Sequence, residues 1–142
     1  MELPSALLMF IASRHAEERI TAHLRAHGFA DLTLAQGRLA ARVAEGGSRV
    51  TELAEAAQVT KQTAGFLVNQ LEKGGYVERV PDPSDARARL VRMAKRGKEA
   101  QACAREMEQI VEAEWEQRLG PRRMRALRES LNDLREITDP FI

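Results

Sequence analysis

One segment of the sequence, residues 50–93, constrains the fold more than any other. It reads as two short helices joined by a tight turn, followed by two extended segments around a proline-rich stretch. The second helix ends at Gly74-Gly75, after which "YVERV" alternates as a strand with "LVRM" as its partner. One face of this helix carries apolar residues at helical spacing: Ala64, Leu67, Val68 and Leu71. This order of elements predicts a winged helix-turn-helix.

Threonines are predicted to begin both short helices. Thr51 is the expected N-cap of the first helix and Thr60 that of the second, because a threonine hydroxyl accepts a hydrogen bond from the first helical turn. Val59 is expected to be the buried residue of the turn between them. The predicted buried face of the first helix consists of Leu53, Ala54 and Ala57.

Longer helices are predicted on both sides of this segment. The second helix of the chain is expected to be capped by Asp31 or Thr33, and Pro121 suits the first position of the last helix. Apolar periodicity predicts a first helix at about 4–26 and a second that ends at about 43. It also predicts a long helix at 95–119 and a last helix that begins at 121. The predicted fold class is therefore mainly α with a small β-wing.

The exposed side of the helix at 60–70 carries polar side chains that can form hydrogen bonds with base pairs. The major groove of B-DNA admits one helix, while the preceding helix braces it across the backbone. Gln62 can bond bidentately to adenine, and Lys61 can reach guanine or a phosphate. Gln62 and Thr63 are the predicted base readers. The full predicted set on this helix is Thr60, Lys61, Gln62, Thr63, Phe66 and Asn69.

The proline-rich stretch is expected to form a long loop that projects from the body. Pro81 and Pro83 restrict its conformations. Arg87 and Arg89 lie two apart in an extended segment, so both are expected to face the same way and to reach a minor groove of double-stranded DNA. Asp85 is predicted to pair with Arg87 and to hold the wing in shape.

Charge is concentrated around the same region. Residues 49–98 hold ten Lys or Arg and six Asp or Glu, although the net charge of the whole chain is only +1. A local basic patch fits a surface that binds a polyanion. A solvated surface without a partner fits the charge equally well.

Several classes of protein are disfavoured. No apolar run approaches the length of a membrane span, and Glu2 stands where a secretory signal would carry a basic residue. A single cysteine cannot form a disulfide within the chain, so we expect a cytoplasmic protein. The sequence has neither a glycine-rich phosphate loop nor a recognisable nucleophile motif. We therefore predict no enzymatic activity and no cofactor.

His23 and His27 have the i, i+4 spacing that can chelate zinc. No cluster of further ligands lies near them in sequence, although Asp31 or a second subunit could complete a site. We favour surface or interface histidines and predict no metal. Cys103 lies on the apolar face of the long helix and is either a redox switch or an inert buried residue, which we favour.

The segment "ELAEAAQVTKQTAGFLVNQLEKGGYVERVPDPSDARARLVRMAKRGKE" resembles the MarR family (multiple antibiotic resistance regulators) of bacterial transcription factors. The resemblance covers residues 50–100 and is most specific in "DPSDARARLVR". It implies a homodimer whose first and last helices intertwine. Such proteins bind palindromic operators and often release them when a small molecule binds. The implied division of the single domain is 1–30 and 95–142 as dimerisation helices, with 31–94 as the DNA-binding lobe.

The sequence departs from the family pattern at several positions. Ala86 replaces a basic residue of the wing, and Ala94 replaces the threonine that caps the long helix. Phe66 stands at a recognition-helix position that is often basic. It either touches a thymine methyl group or packs against the wing, and we favour packing.

Two further residues are candidates for an effector site. His15 interrupts the apolar stripe of the first helix, and it either lines a ligand pocket between the first, second and long helices or lies at the dimer interface. Trp115 presents the same choice. We favour the interface for both.

These observations predict a sequence-specific transcriptional regulator that acts as a homodimeric repressor. The alternative is a winged-helix module that binds proteins and not DNA. Such a module would show no preference for operator-like sequence and no steep dependence of DNA binding on salt.

Overall fold

The structure, a computed structural model, describes residues 1–139. Over this range the chain forms six helices and one two-stranded antiparallel sheet, which confirms the predicted mainly α fold with a small β-wing. No helix in the described part is long and apolar enough to span a bilayer. In chain order the elements are α1 Ser5–Ala26, α2 Leu34–Ala40, α3 Val50–Ala56, α4 Lys61–Lys73, β1 Val77–Asp82, β2 Asp85–Met93, α5 Lys95–Leu119 and α6 Pro121–Thr138.

The helix-turn-helix is formed by α3 and α4, and α4 also packs on α2 and β1. The predicted inward stripe of α4 is buried, as are Leu53 and Ala54 of α3. Gln58 occupies the turn with a φ of 57°, a left-handed conformation that is uncommon for residues other than glycine. Its side-chain amide donates a hydrogen bond of 2.7 Å to the carbonyl of Glu55, which holds the turn between the helices.

Two of the predicted helix starts are confirmed. The Thr33 hydroxyl accepts a hydrogen bond from the Gln36 N–H, and the Gln36 side chain accepts one from the Thr33 N–H, both at 3.2 Å. This reciprocal pair is a capping box at the start of α2. The Thr60 hydroxyl accepts a hydrogen bond of 3.0 Å from the Thr63 N–H and so caps α4.

The predicted start of α3 is wrong. Arg49 is the N-cap, and Thr51 therefore lies inside the helix. The main-chain N–H of Arg49 donates to the carboxylate of Glu52 at 2.9 Å, so an acidic residue that reaches back satisfies the N–H of the N-cap residue. The preceding residue, Ser48, forms an isolated antiparallel β-bridge with Val91 and fixes the approach of the chain to α3.

The wing is a tight hairpin, and the predicted long loop is wrong. The strands stay paired as far as Pro81 and Arg89, and a register shift follows towards the turn. Only Pro83 and Ser84 lie between the two strands. The outer part of the hairpin is exposed, so it lacks the apolar alternation by which a strand is recognised in sequence.

The long helices leave much of their apolar surface uncovered. Met124 is the buried residue of α6, whereas α1 has none, although Leu24 packs against the core from its C-terminal end. Helix α5 contributes Ala100 and Cys103 to that core. The exposed apolar residues of α1 and α6 include Leu7, Leu8, Phe10, Ile11, Leu131, Leu134 and Ile137.

The predicted boundaries within the domain lie close to helix ends, but the parts on either side of them share one buried core. α1 ends shortly before residue 30, and α5 begins at Lys95. The buried cluster of the winged helix-turn-helix nevertheless includes residues of α5. The assignment of 1–30 and 95–142 to dimerisation stays a prediction, and its last positions, 140–142, lie outside the described residues.

Candidate nucleic-acid interface

The first turn of α4 presents polar side chains at the surface. Lys61, Gln62 and Thr63 are all exposed. Neither Lys61 nor Gln62 has a side-chain hydrogen bond or ion pair within residues 1–139. The Thr60 hydroxyl donates to the Thr63 hydroxyl at 2.9 Å, so Thr63 keeps its own hydroxyl hydrogen to donate. This turn of the helix can therefore offer donors to a base edge or a phosphate.

Further along α4, the two other predicted contact residues differ in their surroundings. Phe66 is 61% exposed, so the favoured packing against the wing is wrong, and contact with a thymine methyl group stays a prediction. The Asn69 side-chain oxygen accepts a hydrogen bond of 2.6 Å from Arg79 of β1. Asn69 thus joins α4 to the wing, and a contact between Asn69 and DNA stays a prediction.

The arginines of the wing fall into two groups. Arg79 is held by α4, and Arg92 forms an ion pair of 2.6 Å with Glu78 on the neighbouring strand. Arg87 and Arg89 are exposed, and neither guanidinium has a partner in the described part of the chain. Because the register shift falls between Arg89 and the turn, a common orientation of Arg87 and Arg89 stays a prediction.

Asp82 holds the wing turn, a role that the sequence analysis gave to Asp85. Asp82 accepts four hydrogen bonds, at 2.7 and 3.1 Å from Arg49 and at 2.9 and 2.8 Å from the Ser84 N–H and hydroxyl. The bond from the Ser84 N–H, followed by those from Arg49 and the Ser84 hydroxyl, lowers the pKa of Asp82 to about 2. Asp85 accepts a hydrogen bond of 3.0 Å from the main-chain N–H of Arg87, not from its guanidinium.

Arg96, at the start of α5, joins three parts of the fold and was not singled out from the sequence. Its guanidinium donates to both carboxylate oxygens of Asp31, at 3.0 and 2.9 Å, and to the Gly74 carbonyl at 2.7 Å. It also lies 4.3 Å from the ring centroid of Tyr76. The Tyr76 hydroxyl donates to Asp31 at 2.6 Å, and burial together with this bond raises the pKa of Tyr76 to about 12.

The Tyr76 hydroxyl and the Arg96 guanidinium in turn lower the pKa of Asp31. The end of α4 and the start of α5, between which the wing lies, are thereby fixed to the loop before α2. No local pattern in the sequence signals this cluster, because its members come from distant positions.

A cleft of about 350 Å³ opens between α1, α2 and α5, the place of the ligand pocket that was the less favoured alternative for His15. Its walls are largely apolar. Two of its charged lining residues, Glu17 and Arg38, form an ion pair at 2.8 Å that lowers the pKa of Glu17. His15 is exposed and Trp115 is partly buried, and neither of them lines this cleft.

Cys103 is buried, with 7% of its surface exposed. Burial and, to a smaller extent, the charge of Glu106 raise the pKa of its thiol, which disfavours a reactive thiolate. The structure also brings Cys103 next to His23 and His27, which are far from it in sequence.

Comparison with known sequences places the central lobe in a known family. A MarR family model matches residues 30–88. The transcriptional activatory protein BadR of Rhodopseudomonas palustris is 37% identical over 62 residues, which make up 44% of this chain and 35% of BadR. The match thus spans about a third of the length of that relative.

Solved structures share the fold over nearly the whole chain. A crystal structure of MarR has a TM-score of 0.77 and 26% identity, over 96% of this chain and 98% of that chain. A mutant of MepR from S. aureus, bound to an oligodeoxyribonucleotide, has a TM-score of 0.62 and 18% identity over 97% and 100% of the two chains. The resemblance predicted from the sequence is confirmed: residues 30–88 match the MarR family of transcriptional regulators, and the described chain shares the winged helix-turn-helix fold of MarR.

Proposed function

We propose that this protein is a homodimeric repressor that binds an approximately palindromic DNA operator through α4 and the wing. One observation carries the proposal: Lys61, Gln62, Arg87 and Arg89 are exposed and have no partner within residues 1–139. The other arginines of the same lobe are engaged by protein groups, among them Arg49, Arg79 and Arg92. Unengaged donors on two projecting elements are what contacts to phosphates and base edges require.

Each element has a separate role in this proposal. α4 enters a major groove, where Gln62 and Thr63 read bases and Phe66 contacts a thymine methyl group. Lys61 contacts the backbone at the N-terminus of the helix. Arg89, together with Arg87, reaches the adjacent minor groove. Two copies of α4, about one helical turn apart, make the operator an approximate palindrome.

We also propose that the protein represses transcription and is released from its operator by an effector. The same proposal places the protein in the cytoplasm. BadR is named as an activatory protein. The direction of regulation therefore needs its own test, with a reporter gene whose promoter overlaps the operator. The cleft between α1, α2 and α5 has the size of small-molecule sites and supports release by an apolar effector.

The proposal is tested by the salt dependence of DNA binding, with Arg89→Ala and Arg92→Ala as a matched pair. Arg89 is unengaged and Arg92 is paired with Glu78 on the same strand. An operator is first selected from genomic fragments, and its affinity is measured by fluorescence anisotropy over a range of salt concentrations. Arg89→Ala is expected to reduce the slope of log K against log salt by about two for the dimer, because each subunit loses one cation that neutralises phosphate charge. Arg92→Ala is expected to leave the slope unchanged.

A base reader is expected to behave differently from a phosphate contact. Gln62→Ala should keep the salt slope and reduce the preference for the operator over its single-base variants, since about 1–3 kcal/mol of discrimination depends on a bidentate contact. A protein that binds every duplex equally, or shows no steep salt dependence, contradicts the proposal and favours the protein-binding alternative.

A further inference from the structure

Three metal-ligating side chains meet where the end of α1 packs on the first half of α5. His23 and His27 are one helical turn apart on α1, and Cys103 faces them from α5. The ligand atoms of the three side chains all lie within 4.8 Å of one another. Cys103 is buried, 15% of the His23 side chain is exposed, and His27 is open to solvent. The cluster thus has a buried floor and an open side through which an ion can enter.

The geometry is close to that of a filled zinc site. Zn²⁺ prefers imidazole nitrogen and thiolate sulfur, at about 2.0–2.1 Å and about 2.3 Å respectively, which places tetrahedral ligand atoms about 3.3–3.7 Å apart. The cluster is therefore wider than a filled site by no more than about 1.5 Å. Small shifts of the three side chains can close most of this gap.

The hydrogen bonds around the histidines orient them as ligands. The Nδ1 atom of His27 lies 2.7 Å from the main-chain oxygen of His23. A carbonyl oxygen only accepts, so Nδ1 carries the proton and the lone pair remains on Nε2. A metal-binding histidine is commonly held in this way by a backbone carbonyl.

Glu106 supplies a carboxylate beside the same cluster. Its Oε2 atom lies 3.1 Å from Nε2 of His23. If that nitrogen binds the ion, a movement of the exposed Glu106 side chain can bring its carboxylate in as the fourth ligand. If Nδ1 binds it, Glu106 accepts the Nε2–H and orients the ring.

We propose that His23, His27 and Cys103 bind one Zn²⁺ ion, with Glu106 as fourth ligand or orienting carboxylate. On binding, the Cys103 thiol releases its proton to solvent and the thiolate sulfur donates an electron pair to the ion. The ion links the end of α1 to α5. This inference does not depend on the proposed DNA binding.

The test is titration of the purified, metal-free, full-length protein with Co²⁺, followed by displacement with Zn²⁺. Co²⁺ reports a thiolate ligand through a ligand-to-metal charge-transfer absorption, and competition yields the affinity for Zn²⁺. We expect one Co²⁺ per chain, the charge-transfer band, and its loss when Zn²⁺ is added. Cys103→Ser should abolish the band. Glu106→Gln should weaken Zn²⁺ binding about 10–100-fold, and His27→Ala should weaken it further.

The chain offers a matched control in His15, an exposed histidine of α1 that lies outside the cluster. His15→Ala is expected to bind Zn²⁺ as the wild type does. His27 is also exposed, so His27→Ala should keep the helical circular dichroism of the fold and separates loss of a ligand from loss of folding. The proposal is overturned by absence of the charge-transfer band in the wild type. It is also overturned if folded His27→Ala binds Zn²⁺ with unchanged affinity.

Discussion

At the scale of single residues, Asp82 shows how a carboxylate can hold the turn of the wing. It accepts all four of its hydrogen bonds as a charged group, two from Arg49 and two from Ser84. Its negative charge is directed at protein donors, and 8% of its surface is exposed. An acidic residue in the wing is therefore compatible with a polyanion nearby.

Asp82 also makes stability depend on pH at low values. The pKa of its carboxyl is lowered from its ordinary value of 3.8 to about 2, so its contribution is complete above about pH 4 and is lost as pH falls towards 2. We expect the difference in free energy of unfolding between the wild type and Asp82→Asn to shrink over this range. Urea denaturation at several pH values between 5 and 2 measures it. A difference that stays constant with pH contradicts this role.

Ala94 is a second position where one side chain should matter. It is the N-cap of α5, has extended dihedral angles, and provides no side-chain acceptor for the first turn. Ala94→Ser is expected to raise the free energy of unfolding by about 1 kcal/mol, because the hydroxyl can accept a hydrogen bond from that turn. Thermal denaturation compares it with Ala94→Val, whose branched side chain has no acceptor and should bring no gain. Equal stability of the two variants would rule out the capping explanation.

At the scale of elements, the packing of α5 on the sheet depends on a glycine. A Cβ atom on Gly97 would lie 2.1 Å from the carbonyl oxygen of Tyr76 and 2.6 Å from the Met93 side chain. That carbonyl also accepts the N–H of Ala94 at 2.9 Å, so it is not free to move away. The two elements can approach this closely only because the side chain is absent.

Gly97→Ala is therefore expected to destabilise the protein by at least about 1–3 kcal/mol through overpacking. Gly65 is the matched control, because it is also helical and a Cβ there would meet nothing within 4 Å. Gly65→Ala should raise stability by about 0.5–1 kcal/mol, since alanine is the better helix former. Chemical denaturation of both variants checks the opposite signs, and a stable Gly97→Ala variant would contradict the close approach.

Several elements could be predicted from the sequence because their signals are local. Thr33 and Thr60 are residues that commonly cap helices, and both do so here. The start of α3 could not be predicted in this way, because Arg49 is an unusual N-cap and the acceptor is the Glu52 side chain. The short turn of the wing was missed because its strands are exposed near the tip and lack an alternating apolar pattern.

At the scale of the whole molecule, the uncovered apolar faces of α1 and α6 support the proposed dimer. Leu131 and Leu134 are spaced for one face of α6 and are 41% and 42% exposed. Leu131→Glu is expected to weaken self-association by placing a charge in an apolar interface. Light scattering should then give a mass near 15.9 kDa in place of twice that value.

The control for this prediction is Asn132→Glu, which adds the same charge at an exposed polar position of the same helix. It should leave the dimer intact. A wild-type protein that is monomeric at micromolar concentration would contradict the proposed assembly, and with it the palindromic operator.

The features that could not be predicted from the sequence depend on contacts between residues that lie far apart in it. Helical periodicity shows that α6 has an apolar face, but not whether that face packs on its own chain or on another copy. The ion pair of Arg96 with Asp31 and the approach of Cys103 to His27 exist only after folding. The candidate DNA contacts on α4 could be predicted from the sequence, because the polar face of a helix is visible in its own sequence.

Arg49 is the N-cap of α3 and also holds the wing turn through Asp82. The helix-turn-helix and the wing are therefore expected to move as one piece, with the distance between their tips set by the protein. A duplex whose grooves are spaced differently has to bend or twist to meet both, at a cost set by its own stacking. Preference among operators should then extend to base pairs that no side chain touches, above all at flexible pyrimidine–purine steps.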